Sequence, residues 1–321
     1  MQGVTGQMTN RKVLLHVGYH KTGTTWLQNY LFNNEKYGFV SPMSTMDMMN
    51  IIALPNPLDF SLDTCRNEIN QRLEQVESGN LTPVFSAERF SGHPHSGGYD
   101  SKEIADRLKA LFPNARVLIC IREQKKVILS CYNQYIKKGG AISVGAYLHV
   151  LDRTRVPLFD FRHFMYHRLI RYYQTVFGKE NVLVLPYELF ARNSNEYVSR
   201  IIEFATGQSF QGSLDDLPTQ RMTNSSITGF ELAMRRFLNF TIGMRNSINQ
   251  FSIRPLNKKY NDFFFGIVQK MRPIVPAFVN KSIMRRIENK ISEMAGERFC
   301  ESNRITSELI GIDLSQFGYR M

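Results

Sequence analysis

Residues that suit phosphate binding are concentrated in one short loop, Gly18-Tyr19-His20-Lys21-Thr22-Gly23-Thr24-Thr25. The loop lies between an apolar run at 13–17 and a helix-like run at 26–32, so its backbone N–H groups can point at an anion. An ATP-binding loop needs a lysine directly after its second glycine, and Thr24 occupies that position here. The spacing therefore predicts a phosphate-containing donor other than ATP, with the Lys21 ammonium facing its 5′-phosphate.

A second candidate site begins where the apolar run at 115–121 ends. The run fits a strand that is buried on both faces, which places Arg122 at the carboxyl end of that strand. Apolar residues then recur at helical spacing up to a Lys-Lys-Gly stop at 137–139, and Ser130 lies beside that apolar stripe. Ligands of parallel sheets bind beyond the carboxyl ends of the strands, so Arg122 is a candidate binding residue.

With these two segments in this order, the chain resembles the sulfotransferases that use 3′-phosphoadenosine 5′-phosphosulfate (PAPS). More narrowly, it resembles the bacterial carbohydrate-type branch, whose loop reads roughly G-x-x-K-T-G-T-T. The stretches at 181–189 and 302–319 are also similar to the family, and 221–226 is a weaker match. The resemblance therefore covers most of the chain.

The resemblance implies an enzyme that transfers a sulfuryl group from PAPS to a hydroxyl of a carbohydrate-type acceptor. That acceptor is a glycan, a glycolipid or a glycoside, and the second product is adenosine 3′,5′-bisphosphate, with no metal required. Lys21 would stabilise the leaving oxygen, and Arg122 and Ser130 would bind the 3′-phosphate. The other donor-binding residues that we expect are Thr22, Gly23, Thr24, Thr25, Trp26, Tyr187, Asn224 and Ser226.

We expect Glu88, which follows a short apolar run, to be the base that takes the proton of the acceptor hydroxyl. In the family that the chain resembles, glycan-modifying members place an acidic base at this point, and others place a histidine. Burial raises the pKa of a carboxylate, whereas a nearby Lys21 or Arg89 lowers it. The alternative is that Glu88 forms a structural ion pair with Arg89 or another cation. His93 and His95 are the next candidates for the base, because imidazole titrates near neutral pH.

Short apolar runs alternate with helix-length segments along the chain, at 12–17, 39–41, 82–86, 116–121 and 182–185. This alternation predicts βαβ units, and hence an α/β fold of the three-layer P-loop type with a central, mainly parallel sheet of about five strands flanked by helices. No linker rich in Pro, Gly or Ser divides the chain. We therefore expect a single sulfotransferase domain at 10–321, a disordered N-terminus at 1–9, and a helical basic insertion at 240–300.

The chain is basic, with a net charge of +12 and a pI of about 9.6. The anionic donor explains part of this excess. Another part lies at 251–290, where lysines and arginines are interleaved with Tyr260 and the aromatic run 263–265. We expect a solvated helical face with its aromatic rings in the core; the alternative is a face that rests on an anionic membrane or grips an acidic glycan. No segment matches a nucleic-acid-binding module, so no nucleic-acid partner is expected.

Two other functions share parts of this pattern. A Mg²⁺-dependent P-loop kinase for a small molecule has a related fold, but it needs a lysine where Thr24 stands. A non-catalytic polyanion-binding protein on the same fold would keep its binding after loss of Lys21. The chain lacks an apolar run long enough to span a bilayer, a signal sequence and paired cysteine spacing. We therefore expect a cytoplasmic protein, with any membrane contact peripheral and at the inner face.

Overall fold

The computed structural model describes residues 12–76, 81–149, 156–210, 212–214, 216–218, 227–246, 248 and 252–321. Three expectations from the sequence fall outside these residues: the disordered segment at 1–9 and the donor contacts of Asn224 and Ser226. These three stay predictions.

A parallel sheet forms the centre of the fold. Its strands are Leu14–Gly18 (β1), Phe39–Val40 (β2), Thr82–Ser86 (β3), Arg116–Ile121 (β4) and Val182–Pro186 (β5). In the described residues they pair in the order β2-β3-β1-β4-β5, and each neighbouring pair is parallel. Every residue of β1 and β3 is buried, as expected for apolar runs in a parallel sheet. The predicted α/β fold with a central parallel sheet flanked by helices is confirmed.

The register of the central strands brings the candidate site residues to one edge of the sheet. His16 of β1 pairs with Ser86 of β3, and Gly18 of β1 pairs with Cys120 of β4. Because all three strands run in the same direction, their carboxyl ends meet at that edge. The loop after β1 therefore starts between the segment that follows β3 and the segment that follows β4.

Helices occupy most of the remaining described chain. They are Thr24–Trp26 (α1), Thr45–Met48 (α2), Leu62–Glu74 (α3), Ser101–Leu111 (α4), Gln124–Lys137 (α5), Val144–Tyr147 (α6), Tyr166–Phe177 (α7), Tyr187–Arg192 (α8), Ser194–Thr206 (α9), Gly229–Thr241 (α10), Lys258–Lys270 (α11), Ala277–Ala295 (α12) and Cys300–Ile310 (α13). A π-helical turn, Leu27–Leu31, continues α1. Among the described residues, no helix is long and apolar enough to cross a lipid bilayer.

The chain divides into two compact units. The first consists of the described residues within Met1–Glu123, Arg162–Met222 and Phe299–Met321, and it contains the whole sheet. In its core, side chains from the strands, such as Leu14 and Leu118, share a buried cluster with Trp26. The expectation of a single domain at 10–321 stays a prediction.

The second unit consists of the described residues within Gln124–Phe161 and Thr223–Arg298, and it is helical. A buried carboxylate holds its helices together: Glu231 of α10 accepts hydrogen bonds from Arg235 Nε at 2.8 Å and from Arg272 Nε at 2.5 Å. One expectation from the sequence is wrong here. Tyr260 and Phe263 of α11 are exposed to solvent, although we expected the aromatic rings of this segment to lie in the core.

Candidate active site

The glycine-bracketed loop leaves β1 and is fixed by its own backbone. Tyr19 N–H donates to the Cys120 carbonyl of β4 at 3.1 Å, and Thr22 Oγ1 donates to the Tyr19 carbonyl at 2.6 Å. Two residues of the loop have a left-handed backbone, Lys21 with φ +69° and Gly23 with φ +84°. That conformation suits glycine and strains lysine, so Lys21 is held in an unfavourable backbone geometry. Strain of this kind is typical of ligand-binding loops.

Gly18 lies where no side chain fits. A Cβ atom added there would come within 2.8 Å of Thr24 Oγ1 and 3.0 Å of His16 Nε2. The first glycine of the loop is therefore required by close packing, and the loop folds directly over the side chain of His16. His16 itself is buried, and its Nδ1 lies 2.7 Å from Ser86 Oγ.

Arg122 connects the second candidate segment to the loop. Its Nη1 donates to the Lys21 carbonyl at 2.9 Å. Its guanidinium lies over the Tyr187 ring, with 5.0 Å between Arg122 Cζ and the ring centroid. Tyr187 in turn lies against Gly23, because a Cβ at Gly23 would come within 3.1 Å of the ring. The structure thus brings Lys21, Gly23, Arg122 and Tyr187 together. Cation–π contact and the hydrogen bond both restrict where the guanidinium can point.

The loop and Arg122 each contain a hydrogen-bond donor that could bind an anion. Among the described residues, Thr24 Oγ1 and Arg122 Nε are buried polar atoms without a hydrogen-bond partner. Buried donors of this kind are costly unless a ligand or water satisfies them. A hydroxyl and a guanidinium N–H, both beside a strained loop that carries Lys21, fit the phosphate groups of a nucleotide donor. No cluster of three metal-ligating side chains occurs in the part of the chain that the structure describes.

Glu188, the residue after Tyr187, joins three separate segments behind the site. Its Oε1 accepts from the backbone N–H of Glu123 at 3.1 Å, and its Oε2 accepts from the Tyr319 hydroxyl at 3.1 Å. The Tyr166 hydroxyl of α7 donates to the Arg122 carbonyl in the same region. The backbone around Arg122 is therefore held on both sides.

Glu88 follows β3 and opens a 3₁₀ turn, Glu88–Ser91. Its Oε2 lies 3.0 Å from His20 Nδ1 of the loop, so its partner is His20 and not Arg89. Arg89 instead pairs with Asp100, with 2.5 Å between Nη1 and Oδ2. Ser91 Oγ donates to the Gly18 carbonyl at 3.2 Å, which ties the turn to the loop. The side chain of Glu88 is 29% exposed, whereas that of His20 is 11% exposed, so Glu88 is the more accessible member of the pair.

The surroundings of Glu88 keep it ionised. Burial acts to raise its pKa, but the interactions with His20 and Lys21 outweigh burial and hold the pKa below its ordinary value. Burial also lowers the pKa of His16 to about 3, against the opposing charge of Glu88, so His16 stays neutral in the physiological range. At neutral pH the site therefore contains a carboxylate beside the ammonium group of Lys21.

The other predicted residues lie as follows. His93 and His95 belong to the turn after Glu88, and their ring centroids are 5.4 Å apart. Trp26 packs on Phe190 and donates from Nε1 to the Pro218 carbonyl at 3.3 Å, so its ring is used for packing. Ser130 is a half-buried residue of α5 in the second unit. Its contact with the 3′-phosphate stays a prediction.

His20 was not among the residues that we expected to act in the site. It stands directly before Lys21, in a position that the loop pattern leaves open. Its pairing with Glu88 spans 68 positions of the chain, and no local spacing signals such a contact. The available hint was chemical: a histidine next to the lysine of a phosphate loop, and a carboxylate expected at the neighbouring strand end.

The family of the chain follows from comparison with known proteins. The sulfotransferase domain family matches residues 11–232, which include the loop, Glu88, Arg122 and Glu188. A crystal structure of a sulfotransferase from Alicyclobacillus acidocaldarius is similar in fold, with a TM-score of 0.55 and 16% sequence identity over 96% of this chain and 99% of that chain. No curated protein sequence gives a significant match. Because the family match covers most of the chain and both halves of the candidate site, the chain belongs to the PAPS-dependent sulfotransferase family and is a sulfotransferase.

Proposed function

We propose that this enzyme transfers the sulfuryl group of PAPS to a hydroxyl of a carbohydrate-type acceptor and releases adenosine 3′,5′-bisphosphate. The observation that carries the proposal is the arrangement around Lys21. The residue has a strained backbone, its carbonyl is held by Arg122, and its charge acts on Glu88. A cation and a carboxylate at the same edge of the sheet are the two groups that such a transfer needs.

Lys21 has the role of stabilising negative charge. When bound, PAPS supplies the sulfuryl group, and its 5′-phosphate retains the electron pair of the sulfur–oxygen bond that breaks. The Lys21 ammonium is placed to neutralise that developing charge, and Thr24 Oγ1 offers a further donor. Because Arg122 and the Thr22 hydroxyl bind backbone carbonyls of the loop, the Lys21 side chain projects from a fixed backbone.

Glu88 has the role of general base. Its Oε2 is paired with His20, whose Nδ1 lies 3.0 Å away. The other oxygen, Oε1, is outside this contact and takes the acceptor proton as the acceptor oxygen bonds to sulfur. A lowered pKa makes Glu88 a weak base, which suits a reaction in which the leaving phosphate carries most of the charge change.

Arg122 has the role of recognising the donor. Its Nη1 and its stacking on Tyr187 are committed within the protein, while Nε is a buried donor without a partner. We assign this arginine to the 3′-phosphate, which distinguishes PAPS from other adenine nucleotides. The assignment implies that donor affinity depends on the 3′-phosphate and not on a metal ion.

The first experiment is calorimetry in EDTA with adenosine 3′,5′-bisphosphate, adenosine 5′-monophosphate and ATP. Charge-assisted hydrogen bonds to one phosphate predict a preference for the bisphosphate over the monophosphate of about tenfold or more. Binding of ATP alone, and only after Mg²⁺ is added, would contradict the proposal.

The acceptor class is tested separately, with PAPS labelled with radioactive sulfur. The acceptors are a panel of nitrophenyl glycosides, free sugars and lipid-linked sugars, with simple phenols as the control class. We expect label in the sugar hydroxyls. Labelling of phenols in preference to sugars would leave the sulfotransferase assignment intact and reject the carbohydrate acceptor.

A further inference from the structure

Helix α11 in the second unit presents an apolar stripe to solvent. Tyr260, Phe263, Ile267 and the capping residue Met271 follow one another at intervals of three or four residues, and each of them is exposed. Two further exposed side chains follow in the chain, Ile274 after α11 and Phe278 in α12, with 77% and 71% of their surface accessible. We call these six residues the α11 stripe. Scattered single apolar residues need no explanation, but six large exposed ones within nineteen positions indicate an interaction surface.

The stripe is not needed for the core of its own unit. The buried positions of α11 are Asn261 and Val268, which lie on a different face of the helix. Phe265 packs beneath the guanidinium of Arg235 at 4.7 Å. The helix is therefore anchored through other side chains, and the side chains of the α11 stripe stay exposed to solvent.

The orientation of the stripe is fixed by the carboxylate of Glu231. Arg235 on α10 and Arg272 in the turn after α11 both bind this buried side chain. The middle of α11 is thus restrained through the stacking of Arg235 on Phe265, and the turn that follows the helix is restrained through Arg272. An apolar face that is held outward by buried ion pairs differs from a face exposed by loose packing.

Positive charge borders the stripe. Exposed lysines and arginines flank it at both ends of α11 and on α12, at Lys258, Lys259, Lys270, Lys281, Arg285 and Arg286. Residues 251–290 contain two acidic side chains, Asp262 and Glu288. The first turn of α11 has no acidic residue, and its two lysines oppose the helix dipole, which favours anions at that end. The two lysines thus destabilise the end of their own helix, which indicates that they serve an external partner.

We propose that the α11 stripe docks the protein on the surface of an anionic lipid bilayer. The aromatic and aliphatic side chains enter the boundary between headgroups and acyl chains, and the lysines and arginines reach the lipid phosphates. A second copy of this chain fits less well, because two such faces would bring their positive charges together. An apolar ridge bordered by cations matches an interface that is apolar in its interior and anionic at its surface.

Co-sedimentation of the full chain with vesicles tests the proposal. We expect binding to phosphatidylcholine vesicles that contain phosphatidylglycerol, weaker binding to pure phosphatidylcholine, and loss of binding as salt is raised. Phe263→Ser and Phe278→Ser should each weaken binding on the order of tenfold, since each removes a large apolar side chain from the interface. Lys259→Ser should weaken it about fivefold, the effect of one charge near an anionic surface.

Matched controls distinguish vesicle binding through the α11 stripe from nonspecific adsorption. Leu58 is 95% exposed and lies in the first unit, so Leu58→Ser removes an exposed apolar side chain elsewhere. Lys179→Ser removes an exposed lysine elsewhere. Both variants should bind vesicles like the unchanged protein. Circular dichroism and thermal unfolding should be the same in all variants, which shows that each is folded and keeps this measurement independent of the sulfotransferase assignment.

Three outcomes would overturn the proposal. The first is absence of binding to the anionic vesicles. The second is vesicle binding that the α11 stripe variants and the two controls affect equally. The third is a dimer in light scattering that Phe263→Ser and Phe278→Ser convert to a monomer without any lipid binding, because the stripe is then a contact between copies of the chain.

Discussion

His20 Nδ1 lies 3.0 Å from Glu88 Oε2, so a residue of the phosphate-binding loop holds the carboxylate that follows the neighbouring strand. In the proposed mechanism this ion-pair contact couples donor binding to proton removal, because a shift of the loop would also shift Glu88.

Removal of His20 should raise the pKa of Glu88. His20→Ala deletes the interactions with His20 that lower this pKa, and His20→Asn keeps a polar side chain that cannot become positively charged. The acidic limb of the pH–rate profile for transfer should move to higher pH in both variants, and further in His20→Ala. The direct measurement is carbon NMR of the Glu88 carboxyl group as a function of pH. An unchanged acidic limb in both variants would show that His20 does not act on the base.

Glu88→Gln should lose most transfer activity and also some stability, with a defined pH dependence. The pKa of Glu88 is lowered by folding from its ordinary value of 4.5, so the ionised side chain stabilises the fold. That contribution is complete above the ordinary pKa and is lost as pH falls through the lowered pKa. Denaturant titrations should therefore separate the two proteins at neutral pH and bring them together in acid. A constant difference at every pH would rule out ionised Glu88 as its source.

Lys21→Ala and Lys21→Gly should both abolish transfer and should differ in stability. Each removes the ammonium, but alanine keeps the strain at φ +69° and glycine relieves it. After the greater flexibility of unfolded glycine is counted, Lys21→Gly should be more stable than Lys21→Ala by about 1 kcal/mol. Urea unfolding measures the difference, and calorimetry should show that much bisphosphate binding survives. Residual transfer in the glycine variant would mean that the ammonium is dispensable.

Arg122→Ala should weaken the binding of adenosine 3′,5′-bisphosphate by about 10- to 100-fold and should scarcely change the binding of adenosine 5′-monophosphate. Arg122→Lys is the matched control, because it keeps the charge and loses the planar fork that both donates to Lys21 and stacks on Tyr187. We expect an intermediate affinity for the bisphosphate. Equal losses for both nucleotides would assign Arg122 to loop support and not to the 3′-phosphate.

Glu231→Gln should destabilise the second unit by about 3–5 kcal/mol, because two guanidinium groups lose the carboxylate that they share. The control is Glu293→Gln, which removes one partner of an exposed pair with Lys290 and should cost less than about 1 kcal/mol. Hydrogen exchange of the α10 and α11 backbone amides localises the effect. Similar losses in the two variants would show that Glu231 does not hold these helices.

The strands were the most predictable part of the fold. All five lie within a residue or two of their predicted bounds, because a parallel strand buried on both faces is a continuous apolar run that needs no tertiary context to be recognised. The exposed rings of Tyr260 and Phe263 were not predictable in the same way. The sequence pattern of a helix does not show whether another element covers an aromatic side chain, because that depends on the tertiary structure.

The locations of the candidate site residues were predictable where they depend on local spacing. The loop, Arg122 and Glu88 follow strands, and the strand order brings their ends to one edge of the sheet. The partners of these groups were harder to predict from the sequence. Arg89 neighbours Glu88 in the chain, yet it pairs with Asp100, and Glu88 pairs with His20. Which charge meets which is decided by side-chain direction and by competing partners, and adjacent residues of the chain need not point the same way.

The chain contains a single tryptophan, and its place beside the donor loop has a practical consequence. Trp26 follows Thr25 directly, its ring packs on Phe190, and its N–H reaches the Pro218 carbonyl. Indole emission responds to the polarity and the hydrogen bonding of its surroundings. Intrinsic fluorescence, excited where tyrosine does not absorb, would therefore arise from one known position and report in real time, without any label, when the loop engages a nucleotide.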